Sequence, residues 1–163
     1  AGRLIPDCLQ ALAEHRTIQL RAPAHIRPWQ HVLEPVSGYL QLAAAMLGGG
    51  RPLSASFNFA PHPEDCVSVQ SVVDQIVSIY GQPAASGSHS AQSAEQPLPY
   101  ENPSLMLDAS RAQAELGWIP VWRLREALQQ TVEWDQAYRR GEDLAEFTAD
   151  QIGRYIGSAG QLV

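Results

Sequence analysis

The segment Ile26-Arg27-Pro28-Trp29-Gln30-His31-Val32 carries the residues of this chain best suited to chemistry. Arg27 follows an extended stretch framed by Pro23 and Pro28 and precedes an apolar, helix-like run. A guanidinium there could grip a phosphate through two parallel charge-assisted hydrogen bonds, each about 1.5–3 kcal/mol. It could equally bridge a surface carboxylate. Trp29 could lie along a sugar or base, or pack into a core. His31 suits the polar wall of a pocket, or a satisfied structural position. Arg3 and Arg21 are further candidates for an anionic ligand, with plain solvation as the alternative. Tyr100-Glu101 follows a small, polar stretch and precedes an apolar triplet, a place where side chains often face a cleft. Glu101 could accept hydrogen bonds from ribose hydroxyls, or remain a solvated loop carboxylate.

Several absences narrow the chemistry. The chain has no lysine, so all 11 of its basic residues are arginine and a Tyr-x-x-x-Lys pair is impossible. Gly48-Gly49-Gly50 follows a helical run, whereas a phosphate-cradling glycine loop must follow a strand and open a helix. Serine is frequent, but none sits in Gly-x-Ser-x-Gly. Five scattered histidines and two cysteines show no metal-ligand spacing, and Cys8 falls on an apolar stripe as a buried, reduced thiol would. The net charge of -6 argues against a nucleic-acid surface, yet a few arginines can still converge locally on a small anion. No apolar run approaches the ~18 residues that span a bilayer, and the N-terminus does not read as a signal peptide. The expectation is a cytoplasmic chain, with neither membrane nor nucleic acid as partner. The missing initial methionine fits a partial chain.

These residues must be held by surrounding elements. Helices are expected over Leu4 to Glu14, Leu33 to Leu47, Val69 to Tyr80 with Gly81 as its stop, and Leu124 to about Arg140. A shorter helix capped by Asp108 or Ser110 ends at Leu116-Gly117, and a last one runs from Glu142 to Ile156 with Phe147, Ile152, Tyr155 and Ile156 inward. Short strands are expected at Thr17 to Leu20, Ser54 to Ala60 and Leu105 to Leu107. Residues 82–99, rich in Ser, Ala, Gln, Gly and Pro, read as a flexible loop. The class is α/β, mostly helical with few short strands, too few for a complete doubly wound sheet.

Several stretches together resemble the C-terminal half of the CDP-glucose 4,6-dehydratases, a family of extended short-chain dehydrogenases/reductases of the NAD-dependent epimerase/dehydratase type. They are Arg3-Leu4-Ile5-Pro6-Asp7, the run Ile26 to Pro35, Phe57-Asn58-Phe59-Ala60-Pro61, Leu107 to Ala112, Leu116-Gly117-Trp118, Thr131-Val132-Glu133-Trp134 and Glu146-Phe147-Thr148. The run Arg-Pro-Trp-Gln-His-Val-Leu-Glu-Pro is the most specific to that family. The Leu-Asp-x-Ser and Leu-Gly-Trp pieces are shared among nucleotide-sugar epimerases and dehydratases.

The resemblance implies that residues 1–163 form the C-terminal nucleotide-sugar-binding portion of an incomplete Rossmann fold. Residues 33–61 would pack on a Rossmann half that is not in this chain. Arg3, Leu4, Ile5 and Pro6 would lie against the nucleotide, Gln19, Leu20 and Arg21 along the base, and Arg27 on the diphosphate. Tyr100 stands where the family leads us to expect histidine, and Glu101 falls in the segment that closes over the nucleotide. The implied ligand is a nucleotide-diphospho-sugar, CDP-glucose first. The intact enzyme, expected as a homodimer, would hold NAD, eliminate water from the sugar and feed polysaccharide biosynthesis. This chain alone would neither bind NAD nor turn over substrate. The same half of another nucleotide-sugar epimerase or dehydratase, or a non-catalytic nucleotide-sugar-binding module, would share these features.

Overall fold

The computed structural model describes residues 3–48, 56–81 and 102–160. Six α-helices dominate the described residues: α1 (Leu4–Ala13), α2 (Leu33–Leu47), α3 (Val69–Tyr80), α4 (Ser110–Leu116), α5 (Leu124–Arg140) and α6 (Leu144–Ala159). A small antiparallel sheet pairs β1 (Ile26–Pro28) with β2 (Cys66–Ser68), in the register Ile26 to Ser68, Arg27 to Val67 and Pro28 to Cys66. Ile26 is also bridged, in parallel, to Ser104.

Helical periodicity explains the main core. Cys8, Leu9 and Leu12 of α1, Val72, Val73, Ile76 and Val77 of α3, and Leu124, Leu128 and Val132 of α5 bury together, with Ile18 and Leu20 beneath them. Ser68 starts α3 by accepting the Ser71 N–H, and Gly81 ends it at φ 77°, a left-handed conformation that costs a glycine little. Asp143 caps α6 through the N–H groups of Ala145 and Glu146. A second cluster gathers Phe59, Ala112 and Trp118, with Phe57, Leu42 and Leu116 against it.

Glu34, in the first turn of α2, is a polar junction of the fold. It is fully buried. Its carboxylate accepts the backbone N–H of Val121 (2.9 Å) and of Trp122 (2.7 Å) and the Tyr155 hydroxyl (2.8 Å). Burial, followed by the Glu34 carboxylate, pushes the Tyr155 phenol above its ordinary value, so it stays a donor. Ser37 accepts the Trp118 indole N–H and lies 3.0 Å from the Tyr155 oxygen. One carboxylate therefore ties α2 to the approach to α5 and to α6. At Gly38, one turn further on, an added Cβ would fall inside the Phe59 ring, so only glycine lets α2 come this close. Arg123, just before α5, grips Asp65 at 2.7 Å and Glu64 at 2.8 Å and so anchors the turn that leads into β2.

The helix expectations correspond closely to the structure, but the strand expectations need correction. Residues 17–19 have no regular structure and Leu20 makes only an isolated β-bridge, although Ile18 and Leu20 are both buried. Residues 56–60 are also irregular, while Ser54 and Ala55 lie outside the described residues. Side chains replace ladder bonds there: Gln30 donates to the Phe59 carbonyl, Asn58 to that of Asp108 and Arg111 to that of Ser56. Residues 105–107 are coil, with only the Leu105 N–H bonded to Ile26. The last helix starts at Leu144 and runs to Ala159, and it buries Tyr155 while Ile152 and Ile156 stay 41% and 64% exposed. The flexible loop expected at 82–99 lies outside the described residues.

Glu34→Ala would leave the buried Trp122 N–H, the part-buried Val121 N–H and the Tyr155 phenol without this acceptor. We expect a loss of at least ~3 kcal/mol in unfolding free energy, measured by urea titration with Trp fluorescence. A midpoint unchanged from the parent chain would contradict the role given to this carboxylate.

Candidate functional site

The β1 backbone decides which side chains face outward together. Alternate residues of an extended chain point the same way. His25, Arg27 and Trp29 accordingly line one cleft. α1 supplies the opposite wall, where Leu4, Cys8 and Ala11 recur at helical spacing with Asp7 beside them. The connection from Arg16 to Ala22 forms the remaining side. The cleft measures about 570 Å³, within the range of small-molecule sites.

Its electrostatics oppose those of the chain as a whole. Arg16, Arg21, Arg27 and His25 share the cleft with the Asp7 carboxylate, in a protein of net charge -6. Arg27 is held from behind. One terminal nitrogen donates to the carbonyls of Ile26 (2.8 Å) and Asn102 (3.1 Å), and the other meets His25 Nδ1 at 3.1 Å. Arg16 is bonded to Glu14 at the mouth. Trp29 is fixed by its indole N–H, which donates to the Val67 carbonyl at 3.0 Å across the sheet. Burial, followed by the neighbouring Asp7 charge, pushes the Cys8 thiol up to about 12, so this wall presents an inert, protonated sulfur.

Six of the residues singled out in the sequence meet here: Leu4, Gln19, Leu20, Arg21, Arg27 and Trp29. Ile5, Pro6 and His31 line a different cavity, of about 420 Å³ and mostly apolar, on the far side of Trp29 against Leu128 of α5 and Ile152 of α6. His31 is buried, its Nδ1 accepts the Leu33 N–H at 3.3 Å, and its ring meets that of Trp122 edge-on. Arg3 is exposed at the start of α1 and lines neither cavity. Tyr100 and Glu101 lie outside the described residues. Sequence reasoning passed over His25, Arg16 and Asp7 as cleft residues. The alternation of His25 with Arg27 and Trp29 was the available signal for the first.

Among the described residues no three His, Cys, Asp or Glu side chains converge as metal ligands, and no helix is long and apolar enough to cross a membrane. The junction from β2 into α3 is Cys66-Val67-Ser68-Val69, without the glycines that let a backbone approach a pyrophosphate.

The chain is similar to CDP-glucose 4,6-dehydratase. The enzyme of that name from Salmonella typhimurium is 38% identical over 159 residues, which cover 96% of this chain and 42% of the relative. The chain thus spans less than half the length of the dehydratase it matches. No protein-family model matches the chain.

His31 yields a pH prediction. Burial lowers its pKa from 6.5 to about 4, so the folded chain keeps the ring neutral while the unfolded chain protonates it below about 6.5. Stability from this site is therefore complete above pH ~6.5 and falls as pH drops toward 4, by roughly 3 kcal/mol in all. Chemical denaturation across that window should show the decline, and His31→Asn should flatten it. An equally steep decline in the variant would assign the acid sensitivity elsewhere.

Proposed function

We propose that this chain is the substrate-binding portion of a nucleotide-sugar 4,6-dehydratase, acting on CDP-glucose to give the 4-keto-6-deoxy sugar nucleotide. The observation that carries the reading is the convergence of Arg16, Arg21, Arg27 and His25 in a cleft walled by Trp29, within a chain 38% identical to a CDP-glucose 4,6-dehydratase. Arg27 grips the diphosphate, since a guanidinium forks two oxygens where a lone ammonium cannot. Trp29 offers an aromatic face to the nucleotide or sugar. Gln19 and Arg21 lie along the base, with Leu4 opposite.

The reading extends to what this chain does not supply. NAD and the Tyr-x-x-x-Lys pair belong to a Rossmann half, and the present chain alone is inactive. Its exposed α2 ridge supports that view: Val36, Tyr39, Leu40, Met46 and Leu47 are all apolar or aromatic, and Leu47 is 88% exposed. In the intact protein, as a homodimer, the cleft orients the sugar toward chemistry performed by the other half. Misplacing the reacting centre by about 1 Å can cost ~100-fold in rate, so holding the diphosphate is itself a catalytic contribution.

Arg27→Ala should weaken CDP-glucose binding by at least ~2 kcal/mol, roughly 30-fold, in isothermal titration calorimetry. Parent affinity retained in the variant would remove Arg27 from the diphosphate site. Tighter binding of a uridine or guanosine sugar nucleotide would redirect the reading to another epimerase or dehydratase.

A further inference from the structure

We propose that the apolar cavity beyond Trp29 is a second binding site, one that takes an uncharged small molecule with an apolar ring and a hydroxyl group. The inference goes beyond the nucleotide-sugar reading and does not depend on it.

The cavity measures about 420 Å³, a volume suited to a small molecule. α1, the run from Trp29 to Leu33, α5 and α6 build its walls. Leu124 and Leu128 on those walls belong to the main core, and Ile5 and Trp29 pack against it. The space is therefore framed by core side chains rather than by a loose surface.

Charge selects the kind of ligand. No charged side chain lines this cavity among the described residues. The cleft across the Trp29 ring, by contrast, holds Arg16, Arg21 and Arg27. Trp29 commits its one polar atom elsewhere, since the indole N–H donates to the Val67 carbonyl. An ion entering here would lose its hydration with no counter-charge in return. An apolar ring gains instead, because it takes its own surface and that of the walls out of water.

Two polar side chains call for a hydroxyl. His31 is 8% exposed and Gln151 3%, and both line the cavity. His31 Nδ1 accepts the Leu33 N–H, so the neutral ring carries its proton on Nε2. Burial lowers the pKa of that ring to about 4 and so keeps it neutral near pH 7. The Gln151 side-chain N–H donates to the Gln130 carbonyl at 2.6 Å, which leaves Oε1 as an acceptor. Neither His31 Nε2–H nor Gln151 Oε1 has a hydrogen-bond partner among the described residues. The sealed side-chain atoms without a partner are Gln30 Oε1 and Gln130 Oε1, so these two atoms are open to an incoming group. One is a donor and the other an acceptor. A hydroxyl can answer either, whereas a carbonyl can answer only the donor.

The probe is benzyl alcohol, with toluene and benzoate as controls of similar shape that lack the hydroxyl or carry a charge. Titrated into the full chain and followed by amide NMR, benzyl alcohol should give saturable shifts at Gln30 to Leu33 and at Gln151 and Ile152, with Arg16 to Ala22 unmoved. Toluene should bind at least ~3-fold more weakly and benzoate at least ~10-fold. Ile152 lines the cavity yet is 41% exposed, so Ile152→Trp should keep the parent's urea midpoint while filling the space, and should weaken benzyl alcohol at least ~10-fold.

Shifts that do not saturate, or that centre on Arg16 to Ala22, would overturn the inference. So would toluene or benzoate binding as tightly as benzyl alcohol, or parent affinity in a folded Ile152→Trp. If that variant does not fold, the three probes on the parent chain decide alone. Sedimentation tests a different occupant: a dimer of this chain that Ile152→Trp abolishes, without probe binding, would make the cavity a contact between copies and overturn the inference. None of these results touches Arg27, so the nucleotide-sugar reading stands or falls separately.

Discussion

The structure depends on one buried carboxylate. Glu34 has no solvent to share its charge, and it must be answered by hydrogen bonds from Val121, Trp122 and Tyr155. Charged acceptors in a low-dielectric setting give their strongest bonds, and they are unforgiving of a missing donor. The carboxylate also lies near the N-terminal ends of two helices, α2 and α5, where the backbone dipoles favour negative charge. Three chain segments far apart in sequence therefore meet at one point. Only a few residues separate that point from Arg27 and Trp29, so the position of the cleft follows from it.

The cleft itself uses very little regular structure. A three-residue strand suffices to set His25, Arg27 and Trp29 on one side, and its partner β2 is held in register by the Arg123 clamp on Asp65 and by the Trp29 indole bonded to Val67. Trp29 serves both sides of the wall, since it borders the cationic cleft and the apolar cavity where His31 packs. That division explains why two residues four apart in one motif have such different surroundings: His31 is buried against Trp122, whereas Arg27 stands at the edge of a polar cavity.

The elements most legible in the sequence were those with a long apolar repeat and a chemical stop. Val69 to Tyr80 with Gly81 after it, and Leu124 to Arg140 with Gly141 after it, are helices whose ends were written in the residues. The strands were less legible because alternation signals burial of one face rather than pairing. Ile18 with Leu20, and Phe59 with the half-buried Phe57, turn inward as an alternating pattern demands, yet beyond an isolated bridge at Leu20 they are held by side-chain bonds and packing. The true strands are three residues each, too short to leave a pattern.

The sequence by itself determined the helical framework, the lack of a Tyr-x-x-x-Lys pair and the presence of an arginine- and tryptophan-bearing motif, because these depend on local periodicity and residue type. Only the tertiary structure decided that Leu4, Arg21, Arg27 and Trp29 share a cleft, that His31 turns away from it, and that His25 and Arg16 belong to it. It also showed that Glu34 is a buried hub. The reason is physical: which side of a wall a residue faces, and whether a charge meets water or a ring of donors, is set by segments distant in the chain.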